Sequence, residues 1–200
     1  MKINIIVCLI IQILFCTGLA SQELKLSCSS DNLISINNVK FQQGIISLKK
    51  VGKVLGAKNY RTKKKGSKRT FSIDYEYYFD KYGLSFSAYS DKKEDTCSQM
   101  TIYYGKRRKK KTKNFEGRLF ILKEQIFAYT TFDDIYSSEK LESVIDKSIY
   151  SDSNNPIKVE IHLRFEGYKI VMFFNRESHV IEKVNVNYIF YDPKFKIIRT

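Results

Sequence analysis

Alternation of apolar and polar residues is the strongest pattern along the chain. Phe71, Ile73, Tyr75, Tyr77 and Phe79 take turns with Ser72, Asp74, Glu76 and Tyr78, which predicts a strand with one buried face. Asp80-Lys81-Tyr82-Gly83 supplies turn chemistry, Leu84 to Tyr89 a second strand, the polar stretch Ser90 to Thr96 another turn, and Met100 to Tyr104 a third strand. Together they predict an antiparallel meander. Upstream, Leu33 to Ile36 and Val39 to Phe41 flank Asn37-Asn38 and predict one strand or a tight hairpin, since asparagine tolerates the left-handed turn conformation. A short helix follows, capped by Ser47, with Leu48, Val51, Val54 and Leu55 on one face and Gly56 at its end. Ser21 to Asp31 reads as a loose polar start, and Arg61 to Arg69 as a loop.

From Phe115 the order returns with different residues. Leu119 to Leu122, a turn at Lys123-Glu124-Gln125, and Ile126 to Tyr129 match the opening strand or hairpin. Ser138 is placed to cap a helix whose Leu141, Val144 and Ile145 share a face, with Glu139 and Glu142 favourably near its start. Val159, Ile161, Leu163 and Phe165 then alternate with polar partners, Tyr168 to Phe174 returns, and Val184, Val186, Tyr188 and Phe190 alternate again. The expected fold class is α+β: two tandem units, each an antiparallel β meander with one short helix, their sheets packed together or continuous. One such unit alone has a thin core. The expected segments are a signal peptide at 1–20, a first α+β unit at 21–105, a basic linker at 106–113 and a second α+β unit at 114–200.

The start of the chain adds a compartment. Met1-Lys2, the apolar run Ile3 to Phe15 and Gly18-Leu19-Ala20 have the charged start, apolar middle and small-residue end of a secretory signal peptide, with cleavage after Ala20. The apolar run is shorter than the roughly 20 residues that span a bilayer. The expectation is a soluble exported chain, periplasmic or extracellular, with no transmembrane segment after cleavage. Cleavage leaves Cys28 and Cys97, which in an oxidising compartment either form a disulfide or remain two separate thiols. Strand counting puts the two at the same end of the layer if the chain opens with a single strand and at opposite ends if it opens with a hairpin. The bond and the hairpin are therefore hard to have together.

Charge is concentrated. The net is +14, and the 35 Lys and Arg less Lys2 leave 34 against 21 acids, or +13 after cleavage. Lys106, Arg107, Arg108, Lys109, Lys110, Lys111 and Lys113 carry seven bases, and Arg61, Lys63, Lys64, Lys65, Lys68 and Arg69 carry six, with no acid in either run. These thirteen equal the whole excess, so the basicity belongs to two segments. They are candidates for a polyanion such as lipid headgroups or lipopolysaccharide. No aromatic residues interleave with them as a single-strand groove requires, and export further disfavours nucleic acid. With three strands between them, the two runs are expected at opposite ends of the layer.

Two short motifs carry a family resemblance. Phe79-Asp80-Lys81-Tyr82-Gly83-Leu84, followed one unit later by Phe115-Glu116-Gly117-Arg118-Leu119-Phe120-Ile121, with the helix Val51-Gly52-Lys53-Val54-Leu55-Gly56, resembles an uncharacterised family of exported bacterial proteins. The resemblance implies an envelope protein of unknown function. In outline, tandem helix-plus-meander units are similar to the beta-lactamase inhibitory proteins and the small outer-membrane assembly lipoproteins, which bind other proteins through a sheet surface or its loops.

Catalytic chemistry finds little support. His162 and His179 are the near-neutral acid-base groups, and strand spacing of about 3.3 Å per residue separates them by on the order of 15 Å. Cys28 and Cys97 lack the CxxC spacing of zinc or redox sites, and no phosphate-binding glycine loop is present. No catalytic residue, metal or cofactor is assigned. The expected activity is binding of a protein partner, with Tyr78 and Tyr103 as candidate contacts because each lies opposite the inward set of its strand.

Overall fold

The computed structural model describes residues 23–30, 34–41, 46–57, 60–66, 73–88, 97–105, 112–149 and 159–188. The expected signal peptide, Lys68, Arg69 and the run Lys106 to Lys111 lie outside them. The described residues are mostly β-sheet with two short α-helices. Strands β1 (Lys25–Cys28), β2 (Ile34–Ile36) and β3 (Val39–Phe41) lead into helix α1 (Leu48–Val54) and the meander β4 (Arg61–Gly66), β5 (Ile73–Phe79), β6 (Leu84–Ala88) and β7 (Gln99–Tyr103). Strands β8 (Arg118–Ile121) and β9 (Glu124–Ile126) lead into helix α2 (Phe132–Tyr136) and the meander β10 (Ile145–Ile149), β11 (Val159–Arg164), β12 (Tyr168–Phe174) and β13 (Ile181–Tyr188).

These strands form two sheets. The smaller runs β3-β2-β1-β8-β9, and the larger β10-β11-β12-β13-β7-β6-β5-β4. Every neighbouring pair is antiparallel except β1 and β8, which run parallel with Leu26 opposite Leu119 and Cys28 opposite Ile121. The larger sheet is thus two four-stranded meanders joined through their last strands, with Val184 opposite Ile102 and Val186 opposite Met100. Inward residues of both sheets and both helices form one hydrophobic cluster, including Leu26, Ile36, Leu48, Phe86, Ile102, Leu119, Ile135, Ile161 and Met172. Burying each such side chain contributes roughly 1.5–3 kcal/mol.

Several expectations change. The loose polar start is β1, a central strand, because Leu24, Leu26 and Cys28 alternate with Lys25 and Ser27. The opening is a hairpin, with Asn37 and Asn38 at φ 48° and 65°. The second hairpin turns at Leu122-Lys123, φ 47° and 72°, one residue earlier than expected, so that Ile126 faces the core opposite Leu119. The second α-helix lies at Phe132–Tyr136, and the stretch after Ser138 forms only a 3-10 turn, Glu142–Val144. Thr131 accepts from the Asp134 backbone while the Asp134 carboxylate accepts from the Thr131 N–H at 2.8 Å, a capping box that fixes the start there. Arg61 to Gly66 is strand β4, not a loop; it and β10 are the edges of the larger sheet, where few side chains need be apolar.

The two cysteines are not bonded to each other. Both are buried thiols, and burial pushes Cys28 up to about 12. Cys28 sits in the smaller sheet, whereas Cys97 bridges to Ile46 at the entry to β7 of the larger one. The hairpin alternative is realised, and the thiols remain separate with it.

Gly83 and Gly117 explain the two motifs. A Cβ on Gly83, which has φ 66°, would lie 2.4 Å from the Phe115 backbone nitrogen, and one on Gly117 would lie 2.2 Å from the Leu24 carbonyl oxygen. The two motifs therefore pack against each other, and only glycine permits the approach.

Candidate functional site

Tyr78 and Tyr103 do face away from the main core, but they are 1% and 4% exposed. Tyr78 is paired with the small Ser85 on the next strand. The Arg61 guanidinium covers that ring at 4.1 Å, and Tyr78 donates to Glu76. The Tyr103 hydroxyl lies 2.8 Å from that of Ser85. Neither ring offers a partner its area. Farther along this face, His162 Nε2 lies 2.9 Å from Glu160, while His162 Nδ1 and Asn185 Oδ1 are buried with no partner among the described residues. His179 is in the turn between β12 and β13 and does not join His162 in one site.

The basic residues divide. Arg61 makes two 2.8 Å bonds to Asp80, which raises its pKa above the usual value, and a 3.5 Å contact to the Thr112 hydroxyl. Thr112 itself donates to Asp80 at 2.7 Å, and the Lys113 N–H donates to the Asp80 carbonyl at 2.9 Å. The start of one basic segment and the end of the other therefore meet at one carboxylate, rather than emerging at opposite ends. The reason is that β4 begins where β5 finishes. Lys63 and Lys113 are exposed. Lys64 and Lys65 follow on the β4 backbone opposite Tyr75 and Asp74.

Large exposed apolar side chains lie elsewhere. Among the described residues these are Phe127, Tyr129 and Tyr136, at 39%, 70% and 56% exposure. A tight turn sets the first two: the Phe127 N–H donates to the Thr130 hydroxyl at 2.8 Å and the Thr130 N–H to the Phe127 carbonyl at 3.1 Å. The turn pushes Tyr129 outward, and its ring stacks on Phe127 with centroids 5.0 Å apart and planes 8° apart. On α2, Phe132 and Ile135 face the core, so Asp133, Asp134 and Tyr136 face out. Phe132 anchors the helix edge-on to Phe174 at 5.6 Å. A depression of about 520 Å³ lies between the turn and the helix, lined by Phe127, Tyr129, Asp134, Ser138 and Glu139 among others. Lys140 pairs with Glu124 across it at 2.9 Å.

A family model for a domain of unknown function, DUF7738, matches residues 25–136, from the first strand to the last residue of α2. The chain belongs to that family. The DUF7738 match takes in both glycine motifs, both hairpins, both helices and the aromatic turn. No curated protein and no solved structure matches the chain. No helix among the described residues is long and apolar enough to cross a membrane, and no three His, Cys, Asp or Glu there gather as a metal site.

Sequence reasoning missed the aromatic turn because Ile126 to Tyr129 reads as the continuation of a strand. The usable signal was Thr131-Phe132-Asp133-Asp134: a capping box there ends the strand early and leaves Phe127 and Tyr129 no sheet to face.

Proposed function

We propose that this DUF7738 chain is an exported binding protein that holds a segment of another protein in the depression between the aromatic turn and α2. The observation that carries this is that two of the exposed large apolar side chains, Phe127 and Tyr129, stack on each other and line one concave surface. The activity proposed is binding rather than catalysis. Export rests on the signal-like residues 1–20. Photocrosslinking in the producing cell tests the reading: a photoreactive residue at position 129 yields a discrete protein adduct, and one at Lys49, on the outside of α1, does not. Equal or absent labelling from the two positions refutes it.

The chain is further proposed to be one module used twice. In support, each two-residue left-handed hairpin turn is followed by a hydroxyl-capped helix, and a residue at or just before the cap bridges to one that lies one or two positions ahead of the last meander strand, Thr131 to Val180 and Ile46 to Cys97.

A second reading is polyanion binding, favoured by the meeting of the two basic segments at Asp80. Retention on heparin at moderate salt, lost when the bases of 106–113 are neutralised, supports it; elution at low salt refutes it.

A further inference from the structure

The aromatic depression also differs from the rest of the molecule in charge. Between residues 124 and 142 lie five acids, Glu124, Asp133, Asp134, Glu139 and Glu142, and one base, Lys140, a local net of −4 in a chain of +14. Two of the acids have structural duties, Glu124 in its pair with Lys140 and Asp134 in the α2 cap. Asp133, Glu139 and Glu142 are exposed. Of these, Glu139 lines the depression together with the Tyr129 ring, which is 70% exposed and held by its stack on Phe127, and Asp133 and Glu142 lie on the same stretch of chain. Carboxylates next to an exposed aromatic face attract a cation through charge and through the ring quadrupole together.

We propose that the occupant of this depression is a basic polypeptide segment, with a lysine or arginine side chain laid over Tyr129 and facing Glu139. This rests on the docking reading above and adds the chemistry of the partner. Charge complementarity carries it. An acidic segment would meet like charge here, and the basic β4 edge lies on another part of the molecule.

The test uses the whole protein and three labelled ten-residue peptides in which serine alternates with lysine, with glutamate or with phenylalanine. Binding is read by fluorescence anisotropy at low salt and at 200 mM salt. The lysine peptide is expected to bind, to weaken at least fivefold on Tyr129→Ala and on the double change Asp133→Lys with Glu139→Lys, and to weaken with salt. All three positions are exposed, so these variants keep the fold, which circular dichroism verifies. The glutamate peptide, drawn to the basic segments, is expected to be indifferent to Tyr129→Ala. The inference is overturned if the lysine peptide does not bind or binds all variants equally. If the phenylalanine peptide alone responds to Tyr129→Ala, the depression is a docking site and its charge preference is refuted. If no peptide responds to Tyr129→Ala or Phe127→Ala, the docking reading falls with it. Concentration-dependent self-association abolished by Tyr129→Ala makes the occupant a second copy and also overturns the proposal.

Discussion

The hairpin β2–β3 with α1 and the hairpin β8–β9 with α2 share a backbone plan and present different surfaces. Each turns through two left-handed residues, each helix is capped by a hydroxyl, and each helix borders a depression, of about 560 Å³ at α1 and 520 Å³ at α2. Inward, both do the same work, with Leu48 and Val51 in one and Phe132 and Ile135 in the other. Outward they diverge. Helix α1 carries Lys49, Lys50 and Lys53, and the Tyr82 hydroxyl beside its depression donates to the Leu55 carbonyl that ends the helix. Helix α2 carries Asp133 and Asp134 and stands beside exposed rings. The core fixes what the two regions share, so recognition has to be sought in what they do not share.

The most severe way to break the comparison is to remove what both regions lean on. Gly117→Ala forces a methyl group against the Leu24 carbonyl at the junction of β1 and β8. Urea unfolding is expected to show a loss of about 3 kcal/mol; a loss within about 0.5 kcal/mol would mean the junction is pliable.

A smaller change sharpens the contrast between the turns. Lys123 pays for its left-handed φ of 72° with steric strain that asparagine at position 38 largely avoids. Lys123→Gly is expected to stabilise the protein by about 1 kcal/mol, and Asn38→Gly by only a few tenths, in the same unfolding assay.

Next in size is the cap of α2. Thr131→Ala is expected to cost about 1 kcal/mol. The backbone and side chain of Thr131 hold the Asp134 carboxyl below its ordinary value of 3.8. Because the folded value is the lower one, this contribution is complete above the unfolded value and is lost as pH falls through the folded value. Amide exchange at acid pH, corrected for intrinsic rates, should therefore show α2 fraying while α1, capped by the neutral Ser47, keeps its protection. Equal fraying of both helices counts against the assignment.

Tyr129→Ala should have the least effect on stability, within about 0.5 kcal/mol, although it carries the binding proposal. A larger loss would mean that its stack on Phe127 supports the fold.

The strands with one fully buried face were legible because burial writes itself as period two: β5, β6, β7, β11, β12 and β13 lie where alternation puts them. The edges β4 and β10 were not, since an edge can be held by backbone bonds while its side chains stay polar. Strand β1 was lost to its flanks, polar enough to mask Leu24, Leu26 and Cys28. The site was least legible. Facing away from the core is not the same as being exposed: Arg61 covers the Tyr78 ring and the Tyr103 hydroxyl is engaged by Ser85.

The parallel pairing of Lys25–Cys28 with Arg118–Ile121 carries a consequence for biosynthesis. During translation the earliest strand emerges from the ribosome long before its neighbour has been made, and no local turn can join parallel strands. Until residue 121 is available, the nascent first half exposes an unsatisfied backbone edge, open to rescue by a chaperone or to mispairing with another chain. A fragment ending at the basic run should accordingly aggregate instead of folding.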